Sequence, residues 1–160
     1  MDHLTIRLAN SQDTEVLVAL AQNEWRAIYD GFRAQMGDDL FSLFYPDPMA
    51  QKAAQIRENV ASGHCFVSEL DGKIAGFIYY TYDENSKIGT ISNNAVSADF
   101  RGKGIGGRQY EFVFDRLRAL GALAVRVTTG ADESHAPARR AYEKAGFEKS
   151  LSSVTYYKKL

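Results

Sequence analysis

Residues 94–107, with the sequence NAVSADFRGKGIGG, decide the fold because they join a strand pattern to a helix pattern through a glycine-rich loop. The strand pattern covers residues 88–96. Behind the loop, apolar and small residues recur three and four positions apart, as one face of an α-helix requires. These residues are Gly106, Tyr110, Val113, Leu117 and Leu120. A strand, a glycine-rich loop and a helix in this order predict an anion site at the start of the helix.

The loop is suited to an anion for two reasons. The first N–H groups of a helix have no intrahelical partner and lie at its positive end. Four glycines leave the backbone open to a ligand, and two basic side chains add positive charge. The glycines are Gly102, Gly104, Gly106 and Gly107, and the basic residues are Arg101 and Lys103.

Two common nucleotide motifs do not fit this loop. A phosphate loop of nucleotide triphosphatases needs Ser or Thr after its lysine, whereas Gly104 follows Lys103. A dinucleotide fingerprint needs G-x-G-x-x-G, whereas Gly102, Gly104 and Gly106 alternate. The remaining interpretation is that the loop binds a carrier molecule with a pyrophosphate group.

Two motifs in order make the assignment specific. Residues 101–106, RGKGIG, match an R/Q-x-x-G-x-G/A loop, with the apolar Val96 at the expected position upstream. Residues 138–147, ARRAYEKAGF, match an A-x-x-x-Y-x-K-x-G-F segment. In these features the chain resembles the GCN5-related N-acetyltransferase (GNAT) family over most of residues 60–160.

Composition is consistent with one domain spanning residues 1–160. The chain has 160 residues, 45% of them hydrophobic, and a net charge of −1. It has no long basic run, so we expect no nucleic-acid or membrane partner. The single cysteine, Cys65, allows no internal disulfide, and three scattered histidines predict no metal site. With no signal-peptide pattern, we expect a cytoplasmic protein.

The resemblance implies an α/β fold with a mixed, mostly antiparallel sheet, splayed between its fourth and fifth strands and flanked by helices. We predict strands at 3–8, 65–70, 74–82, 88–96, 123–129 and 154–158. Helices are expected after Ser11 or Asp13 and at 48–60, 106–120 and 134–145, with short helix pieces and loop across 25–48.

The resemblance also implies acetyl-CoA as cofactor and assigns its contacts. The pantetheine arm and the thioester would bind the backbone of Ala95, Val96 and Ser97. The pyrophosphate would bind Arg101, Gly102, Lys103, Gly104, Ile105, Gly106 and Gly107. His135 occupies a position where the family commonly has an asparagine that touches the cofactor. Tyr142 would contact the cofactor and protonate the leaving thiolate, because a phenol is protonated at neutral pH. Its alternative role is an ordinary core residue.

The acceptor side is less determined. The resemblance places aromatic residues around an amine, and the candidate acceptor contacts are Trp25, Tyr29, Phe32, Asn94 and Tyr156, with Tyr157 beside them. Acidic residues nearby in sequence are Glu24, Asp30, Asp38 and Asp39. Some family members carry a carboxylate on the fourth strand, but Ser92, Asn93 and Asn94 are uncharged here. The candidates for a base are Glu24, Asp30, Glu69 and a water bound to Tyr80.

Two functions follow as alternatives. The first is an N-acetyltransferase that moves an acetyl group from acetyl-CoA to a primary amine of a small molecule or a protein, by direct attack of the amine on the thioester. The second is a catalytically silent sensor that binds acyl-CoA. The resemblance also allows a homodimer.

Overall fold

A computed structural model describes residues 3–160 and contains one five-stranded sheet with the strand order β1-β2-β3-β4-β5. Neighbouring strands are antiparallel except β4 and β5, which are parallel. The strands are β1 (Leu4–Leu8), β2 (Cys65–Leu70), β3 (Lys73–Asp83), β4 (Ile88–Val96) and β5 (Ala124–Val127). The helices are α1 (Thr14–Met36), α2 (Asp38–Phe44), α3 (Pro48–Ala61), α4 (Ile105–Ala119) and α5 (Ala136–Lys144). The predicted mixed, mostly antiparallel α/β sheet is confirmed.

Helices cover both faces of the sheet. Consecutive side chains of a strand point to opposite faces, and on β3 Phe77 packs with Leu17 and Ile56 of α1 and α3. The next residue, Ile78, packs with Val113 of α4 in a second core cluster. Each such side chain contributes about 1.5–3 kcal/mol when fully buried. Two apolar layers therefore fix the position of β3 and β4 between α1/α3 and α4/α5.

The helix that follows the glycine loop is held close to the sheet. α4 begins after Gly104, whose φ of 76° lies in the left-handed region that favours glycine. On β4, a Cβ atom added to Gly89 would lie 2.4 Å from Leu117 Cδ1 of α4. Glycine at position 89 thus allows the close approach of α4 to β4.

The sheet opens between β4 and β5. The two strands pair from Ile88 with Ala124 to Ile91 with Val127, and beyond that point β4 pairs with β3 alone. The register between β3 and β4 shifts where the gap begins. Tyr80 pairs with Ile91, but Ile78, two residues earlier on β3, pairs with Asn94, three residues later on β4. This is a β-bulge around Ser92 and Asn93. The expected splay is present, and it leaves one side of residues 92–96 without a strand partner.

Two local predictions were wrong. Residues 25–36 belong to the single long helix α1, because Gly31 inside a helix costs only about 1 kcal/mol relative to alanine. A Cβ atom at Gly31 would lie 3.7 Å from Ser134 Oγ, which is ordinary van der Waals contact with the segment before α5. The strand expected at 154–158 is absent from the described residues, and β5 is the last strand there. None of the helices in residues 3–160 is long and apolar enough to cross a membrane.

Candidate active site

The glycine loop presents open backbone at the start of α4. Gly102 and Gly104 have φ values of 78° and 76°, and Cβ atoms added to either would meet no atom within 4 Å. A Cβ atom added to Gly107 would also meet no atom within 4 Å, while a Cβ atom at Gly106 would lie 3.9 Å from Val96 Cγ2 of β4. Ile105 is buried and anchors the first turn of the helix. The loop therefore offers amide groups of the first turn without covering side chains.

Arg101 is joined to α1 across this loop. Its guanidinium forms an ion pair with Glu24, whose other carboxylate oxygen accepts a hydrogen bond from the Ala98 N–H at 3.2 Å. The Arg101 side chain is exposed, whereas only 13% of the Glu24 side chain is exposed. Glu24 was a candidate base, but here its carboxylate is occupied by a guanidinium and a backbone amide. Lys103 lies in the same loop, between Gly102 and Gly104.

The unpaired side of β4 supplies backbone groups selectively. The Ser97 N–H donates to the Ala75 carbonyl of β3 at 2.9 Å, so it is not available to a ligand. Because N–H groups alternate in direction along a strand, Ala95 also faces β3, whereas Asn94 and Val96 face the gap. Of the three predicted backbone contacts, the Val96 N–H is the one in a position to donate.

Tyr142 lies against this part of β4. Its hydroxyl accepts a hydrogen bond from Asn94 Nδ2 at 3.2 Å, and Asn94 Oδ1 accepts one from the Tyr110 hydroxyl at 3.0 Å. Tyr110 and Tyr142 are 4% and 9% exposed, with their ring centroids 5.5 Å apart. The amide group of Asn94 is hydrogen-bonded to both tyrosines, and its predicted contact with the acceptor stays a prediction.

The environment keeps the Tyr142 phenol protonated at neutral pH. Burial raises the pKa of its hydroxyl above the ordinary value of 10.0, while the hydrogen bond from Asn94 and the nearby Tyr110 hydroxyl act in the opposite direction. Burial also raises the pKa of Tyr110. Both phenols are therefore proton donors at neutral pH, and Tyr142 is the one that has two polar partners favouring its ionised form.

His135 lies immediately before α5 and is held by its neighbours. Its Nδ1 is 2.6 Å from Asp132 Oδ1, and its ring stacks on Phe32 of α1 with centroids 6.0 Å apart. This stacking joins α1 to the segment before α5. The predicted contact between His135 and the cofactor stays a prediction.

Phe32 of α1 lines a cavity together with the C-terminal segment. Tyr29 and Phe32 contact each other and Tyr45, with centroids 5.7–6.1 Å apart. A cavity of about 370 Å3 is lined by Phe32, Gln35, Met36, Leu40, Tyr45, Asp132, Thr155, Tyr156 and Tyr157. The predicted acceptor residues Phe32 and Tyr156 thus share one cavity, with the Asp132 carboxylate at its edge. A second cavity, of about 320 Å3 between α4 and α5, has none of the predicted site residues in its lining.

Trp25 has a different neighbour, which the sequence did not indicate. Lys52 of α3 is only 5% exposed, and its Nζ lies 4.2 Å from the centre of the Trp25 ring. Nζ also donates hydrogen bonds to Gln55 Oε1 at 2.8 Å and to Asn93 Oδ1 of β4 at 3.0 Å. Burial lowers the pKa of Lys52 to about 8. A lysine near apolar helix positions gives no local signal that it is buried, so this contact was missed.

Two of the other candidate bases already have side-chain partners. Glu69 forms an ion pair with Arg7 at 2.7 Å, and the Tyr80 hydroxyl accepts a hydrogen bond from Arg116 Nε at 3.1 Å. Asp30 is exposed on α1. Within residues 3–160, no three His, Cys, Asp or Glu side chains are grouped so as to hold a metal ion.

Known proteins with this fold include several acetyltransferases. The chain aligns over 99% of its length with 99% of an AAC(6')-Iy structure in complex with the bisubstrate analogue CoA-S-monomethyl-acetylneamine, at 18% identity and a TM-score of 0.67. It aligns over 94% of its length with 93% of PaiA N-acetyltransferase from Thermoplasma acidophilum in complex with coenzyme A, at 16% identity and a TM-score of 0.70. A third structure is the ribosomal-protein-alanine N-acetyltransferase of Brucella melitensis biovar Abortus 2308, at 16% identity, a TM-score of 0.64 and coverage of 97% and 99%. At these identities the likeness shows a shared fold.

The family itself is shown by sequence. The family model described as Acetyltransferase (GNAT) family matches residues 25–147, which include both motifs, the glycine loop and Tyr142. With the splayed sheet and the open loop before α4, this match shows that the chain belongs to the GNAT acetyltransferase family.

Proposed function

We propose that this protein transfers an acetyl group from acetyl-CoA to a primary amine by direct attack of the amine on the thioester. The observation that carries the proposal is the position of the buried Tyr142 hydroxyl, which lies against the strand segment that β5 leaves unpaired. A cofactor arm lying along that segment would place its sulfur near a proton donor. Solved structures of this fold with bound CoA and a CoA bisubstrate analogue support the choice of cofactor.

Cofactor binding follows from the loop and the strand. The pyrophosphate would accept hydrogen bonds from the first-turn amides of α4 and take charge from Arg101 and Lys103. The pantetheine arm would pair with β4 through Val96 in the place of the missing strand. The predicted contacts at Gly102, Gly104 and Gly106 are of the same kind, because an open backbone is what they provide.

Direct transfer is favoured because the chain offers no thiol intermediate. Cys65 is the only cysteine in the sequence and is fully buried on β2, and burial raises the pKa of its thiol to about 12. A thiol with that pKa is not a nucleophile at neutral pH. The acetyl group would therefore pass straight to the amine.

The acceptor would bind in the aromatic cavity. Its ammonium group, with an ordinary pKa of about 10.4, can be held by aromatic faces and by the Asp132 carboxylate. It must lose a proton before attack, and water connected to bulk solvent can take that proton in the proposed scheme. The substrate class is a primary amine of a small molecule or a protein. An aminoglycoside or an alanine of a ribosomal protein would be first choices for a screen, because proteins of this fold are named for them.

Ligand binding is tested by thermal unfolding with acetyl-CoA, CoA and adenosine. A ligand that binds only the native state should stabilise it by roughly 2.7 kcal/mol at a hundredfold excess over its dissociation constant, and adenosine should do far less. Gly106→Val should abolish the shift, because its side chain would enter the space between α4 and Val96. Ala119→Val is the matched control on the exposed last turn of α4, and it should keep the shift.

Turnover is tested by following release of free thiol with a panel of amines. Release that depends on an amine supports the transferase. Binding of acetyl-CoA without release on any amine would instead support the sensor, which the uncharged residues Ser92, Asn93 and Asn94 make a real competitor. A protein that binds ATP but neither CoA nor acetyl-CoA would contradict both functions.

A further inference from the structure

We infer that Asn94 is a positioning residue that, together with Tyr110, aims the Tyr142 hydroxyl proton into the gap between β4 and β5. This inference rests on the proposed transferase function. It assigns Asn94 to the leaving-group side of the reaction and not to the acceptor. It also gives a role to Tyr110, a residue that the sequence motifs do not single out.

The orientation of the Asn94 amide is fixed by its partners. Asn94 Nδ2 is 2.9 Å from the Ser92 carbonyl oxygen, which can only accept a hydrogen bond. The nitrogen must therefore lie on that side, and Oδ1 faces the Tyr110 hydroxyl at 3.0 Å. Tyr110 consequently donates its proton to Asn94.

The same orientation decides what Tyr142 does. Asn94 Nδ2 has two hydrogens, one directed to Ser92 and one to the Tyr142 hydroxyl oxygen. Tyr142 accepts from Asn94, so its own proton is not used in that contact and is free to be donated elsewhere. With the ring 9% exposed and packed against Tyr110 and Phe147, the hydroxyl cannot turn freely to solvent.

The β-bulge holds this arrangement in place. The bond from Asn94 to the Ser92 carbonyl spans the residues where β4 shifts register against β3. The amide is thereby tied to the backbone at the point where the strand leaves β5. A bulge that re-aims a side chain is a recurrent feature of sheets next to active sites.

The chemistry balances as follows. The neutral amine forms a bond from nitrogen to the carbonyl carbon, and collapse of the tetrahedral intermediate breaks the carbon–sulfur bond with the electron pair going to sulfur. Tyr142 gives its proton to the thiolate, and the resulting phenolate keeps the hydrogen bond from Asn94. Solvent returns a proton to Tyr142. The acceptor nitrogen loses one proton to water before attack and a second proton to water as the tetrahedral intermediate collapses. With one solvent proton returned to Tyr142, the net products from the ammonium and acetyl-CoA are the amide, free CoA and one proton.

The first test does not need an acceptor amine. Asn94→Asp keeps the oxygen that faces Tyr110 and replaces the N–H that faces Tyr142 with a carboxylate oxygen. NMR titration of the protein with Cζ-labelled tyrosines should then show the pKa of Tyr142 raised by at least about one unit, since a neighbouring anion disfavours the phenolate. Asn93→Asp is the matched control, because residue 93 contacts Lys52 on the other face of β4, and it should shift the Tyr142 pKa less than half as much. The inference would be overturned if Asn94→Asp left the pKa of Tyr142 unchanged, or if the two variants shifted that pKa equally.

The second test is a double-mutant cycle on turnover. Asn94→Asp should lower kcat about tenfold or more at saturating acetyl-CoA, with the KM of the amine nearly unchanged. In a Tyr142→Phe background the same substitution should cost less than about threefold, because the group it acts through is gone. Losses that multiply independently, or a rise in amine KM with kcat intact, would show that Asn94 contacts the acceptor.

Failure of the proposed function gives a different pattern. Wild-type protein would then release no thiol with any amine, whereas the titration of Tyr142 would still report whether Asn94 orients its hydroxyl. Tyr110→Phe supplies the second variant. It removes the donor to Asn94 Oδ1 without adding charge, and it should lower kcat several-fold while acetyl-CoA still shifts the melting temperature.

Discussion

Asn93 and Asn94 are adjacent on β4, carry the same side chain and lie next to the same bulge, yet their surroundings differ. Asn94 contacts two tyrosines whose hydroxyls are protonated at neutral pH. Asn93 accepts from the Lys52 ammonium on the opposite face, where Trp25 covers the cation. One strand thus separates a face built from neutral proton donors and a face built around a buried charge. The comparison shows that the role of an asparagine on β4 depends on which helices pack against its face of the strand.

The largest expected effect tests the tyrosine face. Tyr142→Phe keeps the ring and removes the proton, so turnover at saturating acetyl-CoA should fall by about 10²–10⁴-fold, the usual range for a general acid. Acetyl-CoA affinity should change little. The measurement is thiol release by wild type and variant on an accepted amine.

A core role for Tyr142 makes a contrasting prediction. The variant would then lose only a hydrogen bond, worth about 1 kcal/mol of stability, and retain turnover within about threefold. That outcome would remove the functional difference between the two faces of β4. Denaturant unfolding of the same two proteins supplies the stability value.

The lysine face is tested through pH. The pKa of Lys52 is lowered to about 8 from 10.5, so the native state binds this proton more weakly than the unfolded state does. The cost of the buried charge is therefore present below pH 8 and disappears as pH rises from 8 towards 10.5. Lys52→Met should be more stable than wild type at pH 7, and its advantage should shrink by about 2 kcal/mol between pH 7 and pH 10.

The control for this comparison is Lys73→Met, which alters an exposed lysine at the start of β3. Its stability difference from wild type should stay nearly constant over the same pH interval, as measured by chemical denaturation at each pH. Parallel curves for Lys52→Met and Lys73→Met would mean that the native Lys52 ammonium is as well solvated as a surface lysine.

The smallest effect concerns Trp25. Trp25→Phe weakens the attraction between the ring face and the Lys52 ammonium 4.2 Å away, and the coupling should amount to about 1 kcal/mol. It is obtained from a double-mutant cycle with Lys52→Met at pH 7. A coupling near zero would mean that Trp25 is simply packed apolar surface, which would sharpen the contrast with the hydrogen-bonded tyrosines.

The parts of the fold predicted from sequence are those with local signals. The loop at 101–107 and the apolar stripe of α4 are contiguous, and glycine conformations and helical periodicity are properties of neighbouring residues. The strand prediction at 154–158 failed because residue types that favour a strand do not by themselves provide a partner strand. Gly31 suggested a break, although the helix α1 continues through it.

The polar contacts of the site could not be predicted from the sequence for a related reason. Asn94 meets Tyr110 and Tyr142, which are 16 and 48 residues away, and Lys52 meets Asn93 at a separation of 41 residues. Such pairs depend on how helices cross the sheet. The motif located Tyr142, but the donors and acceptors around it required coordinates.

The ion pair between Glu24 and Arg101 has a consequence for the order in which ligands would bind. A pyrophosphate that draws the Arg101 guanidinium to itself takes the positive partner away from Glu24, whose carboxylate then keeps only the Ala98 N–H. The wall formed by α1 would become more negative when the cofactor arrives. A cationic amine would therefore be attracted more strongly to the loaded protein than to the empty one, which favours binding of acetyl-CoA before the amine.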